Sequence, residues 1–104
     1  MTDVSLLLDF YGQLLTERTR SLLELHYEED MSFSEIAEVE NISRQAVHDT
    51  VRRGAKSLAT YEEKLGLTGR FLRQREMIEV SLAALRGNRA EEAVELLSQL
   101  LEQL

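Results

Sequence analysis

The chain has two histidines, His26 and His48, and neither sits in a metal-ligand spacing. It has no cysteine, which excludes disulfides and thiolate metal sites. His26 reads as a partly buried helix residue. His48 reads as exposed, within reach of a phosphate or a base. The carboxylate pairs Glu28-Glu29, Glu62-Glu63 and Glu91-Glu92 are adjacent in the chain. On a helix such neighbours diverge, so they form surface charge and not an acid–base couple. No Gly-rich phosphate loop, nucleophile elbow or metal motif is present. This census predicts no enzyme, no metal and no cofactor.

A different set of side chains does carry a chemistry. Ser43 caps a helix on which Arg44, Gln45, His48, Asp49, Arg52, Arg53 and Lys56 share an outward phase. Arg and Gln can make bidentate contacts to guanine and adenine edges, so Arg44 and Gln45 are the candidates for base contact. Arg52, Arg53 and Lys56 lie further along, where phosphate contact is expected. Ser43 and the helix N-terminus can hold a phosphate. These eight are the candidate nucleic-acid-binding residues.

The charge distribution fits that assignment, although the net charge of −7 does not. Residues 1–42 hold ten acids and two bases, a balance of −8. Residues 43–75 hold eight bases and three acids, a balance of +5. Residues 76–104 hold six acids and two bases, a balance of −4. Salt screens charges beyond about 10 Å, so local sign matters more to a polyanion than the total. The acidic flanks lower non-specific affinity. A plain solvated helix face is the competing reading of the basic stretch.

The elements that must position these residues are helical throughout. Proline, the residue helices tolerate least, is absent, and the low aromatic content of 6% leans away from sheet. Thr2 or Asp3 can cap a first helix running to about Leu15, with Val4, Leu7, Leu8, Tyr11, Leu14 and Leu15 as its apolar face. Thr16 can cap a second, Glu17 to Tyr27. Glu28-Glu29-Asp30 reads as a loop. Ser32-Phe33-Ser34-Glu35 is a capping box that opens a short helix to Val39 or Glu40. Asn41 suits a left-handed turn, Ile42 can plug the core, and Ser43 caps the next helix.

That fourth helix runs from Arg44 to about Leu65, with Gly66 as its natural C′ residue. Ala46, Val47, Thr50, Val51, Leu58, Tyr61 and Leu65 lie along its buried side. Gly54 costs about 1 kcal/mol relative to alanine in mid-helix and allows close packing or a slight bend. A fifth helix spans Thr68 to Arg86, with Gly87 as C′. Asn88-Arg89-Ala90-Glu91 is a second box-like cap, and a sixth helix runs to the end. Short helix, tight turn and long helix together form a helix-turn-helix, with Ala37 expected where the two motif helices cross. The second helix of such a pair presents its N-terminal turns to a major groove.

Two resemblances follow from named residues. Leu15-Thr16-Glu17-Arg18, Leu22 to Tyr27, Met31 to Ala37 and Ile42-Ser43-Arg44 look like region 4 of sigma-70-type factors, over about 45 residues. Asp9 to Thr16, Ser43 to Asp49 and Tyr61 to Leu67 resemble the YlxM family more closely. These are small bacterial helix-turn-helix proteins commonly encoded beside signal recognition particle genes. The resemblance implies an all-α fold: a helix-turn-helix bundle, sigma region 4-like and of the winged-helix-type superfamily, with a C-terminal helical extension. It implies a regulatory part in the signal recognition particle pathway. DNA or signal recognition particle RNA would be the ligand, with proteins of the particle as further partners.

Two functional classes stand at this point. One is a nucleic-acid-binding regulator, favoured by the basic stretch at 43–75. The other is a protein-interaction module of the same pathway that kept the fold and lost DNA reading, favoured by Asp49 and the net charge. Residues 1–66 are expected to be the helix-turn-helix domain with its long recognition helix. Residues 67–104 are expected to be a helical hairpin for packing or dimerisation. Leu96, Leu97, Leu100, Leu101 and Leu104 with the apolar residues of the fifth helix exceed what a lone hairpin covers. A homodimer through the last two helices is therefore expected, the competing reading being a monomer whose hairpin folds back onto the motif's own core. No apolar run approaches the roughly 20 residues of a membrane span. Met1-Thr2-Asp3 lacks the basic start of a signal peptide, so the expected location is cytoplasmic.

Overall fold

The computed structural model describes residues 3–104. Thr2, an alternative first cap, lies outside them. The described residues form six α-helices: α1 (Val4–Tyr11), α2 (Glu17–Tyr27), α3 (Phe33–Glu40), α4 (Arg44–Leu65), α5 (Leu67–Arg86) and α6 (Ala90–Gln103). The fold is all-α, and among the described residues no helix is long and apolar enough to cross a membrane. Contacts divide the chain into two compact units, one through Thr68 and one from Gly69 to Leu104.

The starts of the first four helices are set by side-chain oxygens. Asp3 accepts from the Ser5 amide, Thr16 from Thr19, Ser32 from Glu35 and Ser43 from Ala46. Each bond satisfies one of the donors that a helix N-terminus leaves without a partner. At Ser32 the box is complete, because the Glu35 carboxylate accepts back from the Ser32 amide at 3.0 Å. Two of the stops, those of α3 and α4, are left-handed residues, whereas the C-caps of α1 and α2 stay right-handed. Asn41 takes φ 55° and Gly66 φ 64°, conformations in which asparagine and glycine cost least.

In the first unit, α4 packs against α1, α2 and α3. The core between them holds Leu7, Leu8, Tyr11, Leu22, Leu23, Ile36, Val47, Val51 and Leu58. Ala37 and Ile42 are partly buried against it. Gly54 marks the close approach of α2 and α4. A Cβ there would lie 2.7 Å from Leu23 Cδ1 and 2.8 Å from Thr19 Cγ2. Of the two roles open to Gly54, close packing is the one observed.

Several expectations are corrected. The first helix stops at Tyr11, and a 3-10 turn over Gly12–Leu14 replaces its last turn. Leu14 is consequently exposed. Ala46 and Leu65, expected on the buried side of α4, are exposed. At the α5 end, Asn88 rather than Gly87 takes the left-handed turn, at φ 61°. The expected cap at Asn88 is absent for that reason. Arg89 is the N-cap of α6 and makes no side-chain cap bond. Its guanidinium instead donates to Glu92 at 2.9 Å.

In the second unit Ser81, Ala84, Ala93 and Leu100 are buried. Ser81 returns its hydroxyl to the Met77 carbonyl at 2.7 Å, which satisfies it within its own helix. Leu72, Ile78, Leu82, Leu85, Leu97 and Leu101 remain exposed.

Candidate nucleic-acid interface

All eight predicted residues lie in the cap and first four turns of α4. Ser43 is the N-cap, and its hydroxyl is engaged by the Ala46 amide at 3.0 Å. Arg44, Gln45, Arg52, Arg53 and Lys56 are exposed. His48 and Asp49 are partly covered, with 43% and 46% of their side chains exposed. His48 was expected to stand clear in solvent. Its ring instead meets Phe33 edge-on, with centroids 5.5 Å apart.

Phe33 is the residue sequence reasoning missed. It opens α3 and touches both histidines, with the His26 ring centroid at 4.5 Å and that of His48 at 5.5 Å. His26 is anchored in turn, since its Nδ1 lies 2.8 Å from the Met31 carbonyl. A carbonyl only accepts, so Nδ1 carries the proton. The start of α4 is therefore braced by aromatic contacts against the start of α3, which is braced in turn against the end of α2. The signal was an aromatic at the first position after a capping serine, where only the capping box was read.

On the outward side, Gln45 Nε2 donates to Asp49 Oδ1 at 2.9 Å. His48 Nδ1 lies 3.4 Å from the same oxygen. The bonds from His48 and then Gln45 hold the Asp49 carboxyl below its ordinary range, against the smaller opposing effect of burial. The Arg52 charge adds to the stabilisation of the carboxylate. None of Arg44, Arg52, Arg53 and Lys56 is in a salt bridge among the described residues. No group of three His, Cys, Asp or Glu is placed to hold a metal among the described residues.

A short helix, a left-handed turn at Asn41 and a long helix with an exposed basic face form a helix-turn-helix. The family model that matches residues 1–97 is described as "Putative helix-turn-helix protein, YlxM / p13 like". The chain belongs to this family. Among its relatives, a UPF0122 protein of Desulforamulus reducens is 47% identical over 92 residues, 88% of this chain and 79% of that protein. A UPF0122 protein of Acetivibrio thermocellus is 53% identical over 73 residues, 70% of this chain and 62% of that protein. The UPF0122 protein YlxM of Bacillus subtilis is 40% identical over 103 residues, 99% of this chain and 94% of that protein. The YlxM resemblance drawn from three motifs between Asp9 and Leu67 thus extends over nearly the whole chain.

Proposed function

We propose that the chain is a regulatory DNA-binding protein that places the N-terminal turns of α4 in a major groove. The observation that carries this reading is the exposed row Arg44, Arg52, Arg53 and Lys56, on the second helix of the motif and without salt-bridge partners among the described residues. Cations left unpaired on a helix that a tight turn presents outward are what phosphate contact requires. Duplex DNA is favoured over helical RNA, because the A-form major groove is too deep and narrow for a helix to read. Arg44 and Gln45 face the base edges in this reading, Arg52, Arg53 and Lys56 the phosphates, and Ser43 with the helix N-terminus stands beside a further phosphate.

The family resemblance supplies the context: a cytoplasmic role in the signal recognition particle pathway. The chain acts as a homodimer in this reading, through the apolar residues that α5 and α6 leave exposed. Two copies would set two motifs on one duplex. A second reading, a protein-docking module of the same pathway, draws on the net charge of −7. Gel shifts with genomic DNA fragments and with signal recognition particle RNA, each across a salt series, separate these readings. Retention of DNA with a steep salt slope is the expected result. Retention of the RNA alone, or of neither nucleic acid, overturns the DNA reading.

A further inference from the structure

Asp49 is an acid on a helix that has to approach a polyanion, and its cost to affinity calls for a return. Its carboxylate accepts from Gln45 Nε2 at 2.9 Å, one turn earlier on the same face. An ionised carboxylate has no donor, so the Gln45 amide can sit only one way round, nitrogen toward Asp49. The carboxylate is itself fixed from behind. His48 Nδ1 lies 3.4 Å from the same oxygen, and the His48 ring rests against Phe33 of α3.

A primary amide carries two N–H donors and one carbonyl acceptor. With one N–H engaged by Asp49, Gln45 has one donor and one acceptor left. In the major groove adenine offers N7 as acceptor and its N6 amino group as donor, whereas guanine offers N7 and O6, two acceptors. The remaining edge of Gln45 matches adenine and lacks the second donor that guanine needs. We propose that Asp49 is a specificity-determining residue: by fixing the Gln45 amide it selects adenine over guanine at one position of the duplex. Asp49 acts as a positioning residue and need not touch the base. The inference rests on the DNA reading above.

Asp49→Asn sharpens the test, because the amide it introduces can either accept or donate. Donating to the Gln45 carbonyl frees both Gln45 N–H groups, the pattern that guanine matches. The experiment is selection from a randomised duplex DNA pool with the full chain and with Asp49→Ala, Asp49→Asn and Gln45→Ala. Circular dichroism checks that each variant keeps its helicity. Wild type should enrich adenine at one fixed position, by on the order of tenfold over guanine. Asp49→Ala and Gln45→Ala should each lose that preference, and a variant carrying both substitutions should lose nothing further. Asp49→Asn should admit guanine there. DNA binding with an adenine preference unchanged in Asp49→Ala overturns this inference and leaves the DNA reading standing. Failure of every form to retain duplex overturns both.

Discussion

The Tyr11 hydroxyl donates to the Glu62 carboxylate at 2.6 Å and accepts from the Leu67 amide at 2.9 Å. The same Glu62 oxygen accepts from the Thr68 amide at 2.9 Å. Leu67 and Thr68 open α5, where amides have no acceptor within their own helix. One buried tyrosine and one glutamate from the last turn of α4 therefore cap the amides of Leu67 and Thr68 and tie α1 to the end of α4. Tyr11→Phe leaves the Leu67 donor without its acceptor, so it should lower the melting temperature. Loss of a partner to a buried group costs more than the bond itself gains.

The same contact gives an alkaline signature. Burial, then donation to Glu62, raises the Tyr11 hydroxyl above its ordinary value, which is about 10. A raised folded value means stability that is complete below the unfolded value and is lost as pH rises through the folded one. Thermal melts should therefore weaken above about pH 10, and Tyr11→Phe should flatten that limb. Spectrophotometric titration should find one of the three tyrosines ionising later than the others.

The capping box makes the opposite prediction on the acid side. The backbone and side chain of Ser32 hold the Glu35 carboxyl below its ordinary range. This contribution is present above the unfolded value of about 4.3 and fades as pH falls through the depressed one. Glu35→Gln should reduce the acid sensitivity of the melting curve. Ser32→Ala should cost about 1 kcal/mol at neutral pH.

Gly54→Ala tests the approach of α2 to α4. Alanine gains about 1 kcal/mol in helix propensity, but its Cβ would stand 2.7 Å from Leu23 Cδ1. Overpacking a tight core costs about 1–3 kcal/mol, so the net effect should be a loss of stability. Adding Leu23→Ala should make the double variant less unstable than the sum of the two. Strict additivity in denaturant melts would place Gly54 away from the contact described.

Replacing Arg52, Arg53 and Lys56 together with alanine should weaken DNA binding for all sequences alike. The slope of log K against log salt should fall by about 2.7, for three phosphates at roughly 0.9 each. An unchanged slope would remove these side chains from the phosphate path.

Assembly has its own measurement. Light scattering should give about twice the 11.9 kDa of one chain. Leu101 is 71% exposed, so Leu101→Glu disturbs little within one copy. Together with Leu97→Glu it should return the mass to that of a monomer.

Much of this was legible in the sequence because the signals are local. Ser32 with Glu35, Asn41, Ser43 and Gly66 each state a helix boundary within four residues of chain, and the structure places those boundaries there. Asn88 and Gly87 compete for one left-handed position, and propensity alone chose the wrong one. The Tyr11–Glu62 contact spans 51 residues, a separation at which no local pattern speaks. The Gln45–Asp49 bond was within reach, since residues four apart share a helix face. Asp49 was instead weighed alone, as an acid out of place.

Eight residues make up α3. A helix that short is marginal by itself in water, where about 12–15 residues are needed even for favourable sequences. Its capping box and the turn at Asn41 can therefore set its direction only once Ile36 is seated among Leu22, Leu23 and Val47. The turn has no fixed geometry apart from the core, because Ile36 of α3 and Val47 and Val51 of α4 tie both motif helices into it. In a denaturant titration, loss of DNA affinity and loss of helicity should coincide, with no window in which an unfolding chain still recognises its site.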